Sequence, residues 1–68
     1  MKVTINTTSG QAHTGDLPAE STVADAIIAF DIPRETTGLA AIDGKLIPAE
    51  YVLSDGDVVE VFPVIIGG

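Results

Sequence analysis

Gly67 and Gly68 close the sequence directly after the apolar run Val61, Phe62, Pro63, Val64, Ile65, Ile66, and chemistry is expected at this ending. Residues without a Cβ adopt backbone angles that others resist. Two in a row let an extended tail enter a narrow channel and present the α-carboxyl of Gly68 to a partner. The reacting group would then be the chain end itself. A terminal glycine pair arises by chance in about one chain in 200, so the surrounding residues must carry the rest of the argument. Residues 64–68 are expected to form a flexible tail, with Gly67, Ile66 and Ile65 beside the reactive Gly68. Fully extended, such a tail spans at most roughly 17 Å, enough to reach into a partner's site while the domain docks outside. Ile65 and Ile66 would fill the entrance of the channel.

No other constellation in the sequence supports catalysis. His13 is the single histidine, and no Asp or Ser at recognisable spacing makes it half of a dyad, so it reads as a strand surface residue. Asp55 and Asp57 flank Gly56 and superficially suggest a calcium loop. Positions 5 and 12 of an EF-hand pattern begun at Asp55 would be Val59 and Ile66, which are not ligands, so turn chemistry explains the aspartates better. Ser9-Gly10 and Asp43-Gly44 are also turns, and no glycine-rich phosphate loop is present. Without Cys there is no disulfide framework, thiolate metal site or cysteine nucleophile. Catalytic residues, metal ligands and a bound cofactor are therefore not expected.

Composition narrows the class further. Sixty-eight residues make one small domain that buries only about 60% of the surface its unfolded form exposes, which leaves no room for a deep internal site. The 46% hydrophobic content is mostly Val, Ile, Leu and Ala. Ten acidic residues against Lys2, Arg34 and Lys45 give a formal net charge of -7, which repels phosphate backbones and disfavours nucleic acid. The same charge would steer the chain towards a basic docking surface. The start, Met-Lys-Val-Thr-Ile, shows no signal-peptide core, and no apolar run approaches about 18 residues, so a soluble cytoplasmic chain without membrane contact is expected.

The elements that would position the tail follow from periodicity. Residues 2–6 alternate, with Val3 and Ile5 on one face, and read as a half-buried strand. After the turn cluster Thr7, Thr8, Ser9 and Gly10, residues 11–15 are expected to return as a second strand. Ser21 or Thr22 is expected to cap a helix starting at Val23, with Thr22 and Asp25 at capping-box spacing. Val23, Ile27 and Phe30 would form its apolar stripe, flanked by Ala26 and Ile28, and Pro33 would close it. Residues 39–42 and 45–47 flank Asp43-Gly44 as an antiparallel hairpin ending at Pro48. Residues 49–53 form a loop, 54–57 a second turn, and 58–62 the last strand.

On that strand Val59 and Val61 share one face, while Val58, Glu60 and Phe62 share the other, which Glu60 marks as wet. Phe62 is then expected to face solvent beside the tail as a docking anchor, unless a strand bend turns it inward. Pro63, lacking an N–H, ends pairing and completes the expected docking element. Two strands, one helix, a hairpin and a last strand suit an α+β, β-grasp domain over residues 1–63. In that scheme, ββαββ, a mixed sheet has one face covered by the helix.

Together these residues resemble the ThiS/MoaD family of ubiquitin-like sulfur carriers. The specific part is the second half. Leu39-Ala40-Ala41-Ile42-Asp43-Gly44-Lys45-Leu46-Ile47-Pro48 is similar to the family's hairpin, and Leu53-Ser54-Asp55-Gly56-Asp57-Val58-Val59-Glu60-Val61 to its turn and last strand before the diglycine. Length and Ile47-Pro48 are closer to ThiS, whereas Phe62-Pro63 looks like the tail of MoaD. Ala49, Glu50 and Tyr51 replace the Arg and Trp common in ThiS.

The resemblance implies a carrier that is not itself an enzyme. A ubiquitin-activating-type adenylating enzyme of the ThiF/MoeB kind would use MgATP to adenylate the Gly68 carboxylate, and a sulfurtransferase would supply sulfur to make a thiocarboxylate. A downstream synthase would consume it, thiazole synthase by slight preference and the molybdopterin synthase large subunit next. The free chain is expected to be monomeric. Two other functions compete: a protein modifier forming isopeptide bonds through Gly68, and a passive β-grasp interaction module.

Overall fold

The computed structural model describes residues 1–33 and 37–63. The expected tail, with Ile65, Ile66, Gly67 and Gly68, lies outside the described residues. Among the described residues, five strands and one helix run in the order β1 (Lys2–Thr7), β2 (Ala12–Asp16), α1 (Val23–Ala29), β3 (Leu39–Ile42), β4 (Lys45–Ile47) and β5 (Val58–Phe62). This is the expected scheme with both strands of the hairpin counted, ββαβββ. They form one mixed sheet, ordered β2-β1-β5-β3-β4, and the fold is an α+β β-grasp.

Alternation decides what each strand buries. Val3 and Ile5 of β1 are fully buried, as are Val59 and Val61 of β5, which runs parallel to β1 with Ile5 opposite Val59. Ala40 of β3, opposite Val61, joins them, and Val23, Ala26, Leu17, Ile32 and Leu53 complete the core. β2 begins one residue later than expected. Its sequence, Ala-His-Thr-Gly-Asp, has no apolar alternation, so pairing with β1 sets its position. His13 lies opposite Ile5 and is half-buried.

The helix starts as its capping residues require. Thr22 Oγ1 accepts the Asp25 N–H at 3.2 Å and Asp25 Oδ2 accepts the Thr22 N–H at 3.0 Å, a reciprocal capping box. The remaining free donors of the first turn, Val23 and Ala24 N–H, reach the carbonyls of Tyr51 and Ala49. The loop after β4 is thereby tied beneath the helix, and Ser21 is buried behind the cap with its hydroxyl on Pro18 O.

Two expectations about the helix are corrected. Ile27 and Phe30 pack half-buried against the core with Val23, as the stripe requires, and Ala26 is fully buried beside them, but Ile28, expected at the other flank, is 77% exposed. Gly15 makes room for Phe30. A Cβ there would sit 2.9 Å from Phe30 Cε1, so the missing side chain is what lets the aromatic ring close over β2.

Nor does Pro33 end the helix. Phe30 is the C-cap and Asp31 takes φ 55°; Asp31 N–H bonds Ile28 O and Ile32 N–H bonds Ile27 O, both at 3.1 Å. This is a Schellman motif with Asp where glycine is usual. Left-handed angles cost an L-residue about 1–2 kcal/mol, and a carboxylate at a helix C-terminus is further disfavoured. Asp31→Gly is therefore expected to stabilise the fold by about 1 kcal/mol, after allowing for glycine's greater freedom when unfolded. Urea denaturation checks this, and a lowered midpoint would mean that the carboxylate makes a stabilising contact.

Candidate functional site

The chain leaves the sheet from its central strand. β5 lies between β1 and β3, and its last pair is Phe62 with Leu39. Pro63 follows, outside the strand and exposed. At this edge of the sheet β1 also ends, with Thr7 opposite Val61, and β4 ends before Pro48, with Ile47 opposite Ala40. Pro63 therefore lies at the rim shared by the β1–β2 turn and Pro48.

The position of β5 is fixed from the opposite end. Asp55 Oδ1 accepts the Lys2 N–H at 2.7 Å, Asp57 Oδ2 accepts the Ser54 N–H at 2.8 Å, and the Gly56 N–H reaches Lys2 O at 2.8 Å. Both aspartates thus serve the turn, and Gly56 adopts φ 88° within it. No group of three His, Cys, Asp or Glu residues arranged for a metal occurs among the described residues.

Phe62 shares its face with Val58 and Glu60, away from the helix. It is half-buried and does not pack against the core. The solvent orientation expected from strand parity is therefore what the fold shows, with partial cover. The pairings place Leu39 beside it in one row and Leu46, Ala41, Glu60 and Asn6 in the next. Leu39 (44%), Leu46 (68%) and Val58 (47%) expose much of their surface around the Glu60 carboxylate. The sheet's outer face thus carries an apolar patch with one central charge, ending at the rim where Pro63 departs.

Sequence reading placed Val58 and Glu60 on the face of Phe62 but missed Leu39 and Leu46 as its neighbours. Parity along β3, β4 and β5 could assign a face to each strand separately. Only the strand order brings Leu39 and Leu46 beside Val58 and Phe62, because β3 pairs with β5 and carries β4 on its far side.

Comparison with known proteins gives a consistent answer. The ThiS family model matches residues 3–68. The crystal structure of SAMP1 from Haloferax volcanii is similar over 100% of both chains, with a TM-score of 0.72 and 16% identity, which bears on the fold. No match among curated proteins is found. No helix among the described residues is long and apolar enough to cross a membrane.

Proposed function

This chain belongs to the ThiS family, whose members are ubiquitin-like sulfur carriers, and from that membership we propose that the Gly68 carboxylate is the group that carries sulfur. The observation supporting this most is that the family match runs through Gly67 to Gly68 and does not stop at the folded domain. Proteins of this family work with ubiquitin-activating-type adenylating enzymes and with synthases.

The chemistry explains why activation is needed. A free α-carboxyl, with a pKa of about 3.3–3.7, is an anion at neutral pH and a poor electrophile. A carboxylate oxygen of Gly68 attacks the α-phosphorus of MgATP in the partner's site, releasing pyrophosphate and leaving an acyl-adenylate. Sulfide, HS⁻, then adds to the carbonyl carbon and expels AMP with release of the sulfur-bound proton, which leaves the thiocarboxylate. A synthase consumes that sulfur and returns Gly68 to its carboxylate. MgATP is a substrate of the partner, and the carrier itself needs no general base. We place the sulfur in thiamine thiazole synthesis first and molybdopterin synthesis second, on length and on Ile47-Pro48.

Docking falls to Phe62, Pro63 and the apolar patch around them, because this surface adjoins the rim from which the tail starts. Phe62→Ala is expected to weaken binding to the adenylating enzyme by about 1–2 kcal/mol with little change in folding stability. Titration calorimetry and a thermal melt separate the two effects. A large stability loss with unchanged binding would move Phe62 from docking to packing.

The direct test is the intact mass of the chain after incubation with extract of its host, MgATP and sulfide. A gain equal to the exchange of one oxygen for sulfur establishes the carrier. Higher-mass conjugates to other proteins, without that gain, would transfer the function to protein modification.

A further inference from the structure

Two Asp-Gly steps stand at the same end of the sheet, Asp43-Gly44 in the hairpin between β3 and β4 and Asp55-Gly56 in the turn before β5. In such a step the backbone nitrogen after the aspartate can reach its side-chain carboxyl, because glycine has no Cβ to obstruct the approach. The other described aspartates precede Leu17, Ala26, Ile32 and Val58, whose side chains crowd that nitrogen.

The fold treats the two steps differently. Asp55-Gly56 is held at both reacting groups: Asp55 Oδ1 accepts the Lys2 N–H at 2.7 Å, and the Gly56 N–H donates to Lys2 O at 2.8 Å. Both bonds must break before nitrogen and carboxyl can meet. Among the described residues, neither the Asp43 carboxylate nor the Gly44 N–H has a hydrogen-bond partner. Both residues are exposed, and a Cβ on Gly44 would meet no atom within 4 Å, so nothing packs over the hairpin tip. The strand that must yield for this turn to open, β4, has three residues and lies at the edge of the sheet. Short edge elements open locally at low cost.

We propose that Asp43 is a site of spontaneous isoaspartate formation and that the change unseats β4. The Gly44 amide nitrogen attacks Asp43 Cγ; the N–Cγ bond forms, the Cγ–OH bond breaks, and the hydroxyl leaves with the amide proton as water. Water then adds to the Asp43 carbonyl carbon of the resulting succinimide and cleaves its bond to the Gly44 nitrogen. The chain now continues through Cβ and Cγ, with its mass unchanged. One carbon has entered a two-residue turn whose residues both take positive φ, 52° and 81°. Turn length fixes hairpin register, so the longer link cannot keep Ile42 opposite Lys45 and Ala41 opposite Leu46. Leu46 then leaves its place on the outer face. None of this depends on sulfur transfer.

The test ages the full chain at 37 °C and neutral pH, folded and in concentrated urea, and digests it with trypsin. Cleavage after Arg34 and Lys45 puts the two steps on separate peptides, residues 35–45 and 46–68. Electron-transfer fragmentation distinguishes isoaspartate from aspartate in each. In the folded chain isoaspartate should accumulate at Asp43 at least about tenfold faster than at Asp55, and in urea the two rates should agree within about twofold. The isolated isoaspartyl chain should show shifted Leu46 and Ile47 amides in NMR spectra, with Val3, Ile5 and Val59 unmoved. No isoaspartate at Asp43, folded rates within about threefold of each other, or a tenfold bias that persists in urea overturns the site. Unmoved Leu46 and Ile47 amides in the isoaspartyl chain overturn the displacement of β4.

Discussion

Deletion of Gly67 and Gly68 is expected to abolish sulfur loading and leave the folded domain unchanged. The truncated chain ends on Ile66, so its carboxylate falls two residues, roughly 7 Å, short of the partner's reacting phosphorus. A misplacement of about 1 Å already costs on the order of 100-fold in rate, so the loss should exceed that figure. A branched side chain would also stand where the channel accepts glycine. Neither deleted residue has a side chain to bury, so the unfolding midpoint should move by less than about 0.5 kcal/mol. Intact mass reads the first effect and urea denaturation the second. A truncated chain that still gained sulfur would place the reacting group elsewhere and end the carrier reading. Lost loading accompanied by a lost fold would show only that the tail is structural.

The framework around that tail was legible wherever one residue's chemistry decides one local conformation. Alternation in β1 and β5 identified the buried faces. Thr22 and Asp25 specified the helix start, and Asp43-Gly44 specified the hairpin, where both residues take positive φ (52° and 81°). Parity alone put Phe62 on the outer face. What the sequence hid depends on contacts between elements. The helix stops at a left-handed Asp31, which nothing in Asp31-Ile32-Pro33 announces, because glycine is the residue that usually marks this cap. Ile28, expected at the flank of the apolar stripe, is exposed because i+5 from Val23 faces away from i and i+3. Phe30 packs its ring over Gly15, a contact set by how β2 pairs with β1. The candidate site divides in the same way: its proposed chemistry rests on the last two residues, whereas its candidate docking patch needed the strand order.

That dependence on strand order is why the largest stability effect should come from the centre of the sheet. Ile5 is fully buried on β1, paired with β2 on one side and β5 on the other, and packs in the cluster that includes Val59 and Val61. Ile5→Ala removes three carbons from a site the surrounding sheet cannot collapse to fill, and is expected to cost about 3–4 kcal/mol. A chain of this length holds only about 3–10 kcal/mol in total, so the variant should be unfolded or close to it at 37 °C. Leu46→Ala is the matching control, because Leu46 is 68% exposed on the edge strand and its truncation should cost under about 0.5 kcal/mol. Urea midpoints of the two variants measure the difference. If they fell together, the core would not sit beneath β1 and β5, and the geometry that aims Phe62 and Pro63 at one rim would lose its support. If they separate as expected, Ile5→Ala should lose sulfur loading in proportion to the unfolded fraction and regain it on cooling towards maximum stability. The chain lacking Gly67 and Gly68 should stay inactive at every temperature, so temperature distinguishes loss of the scaffold from loss of the reacting group.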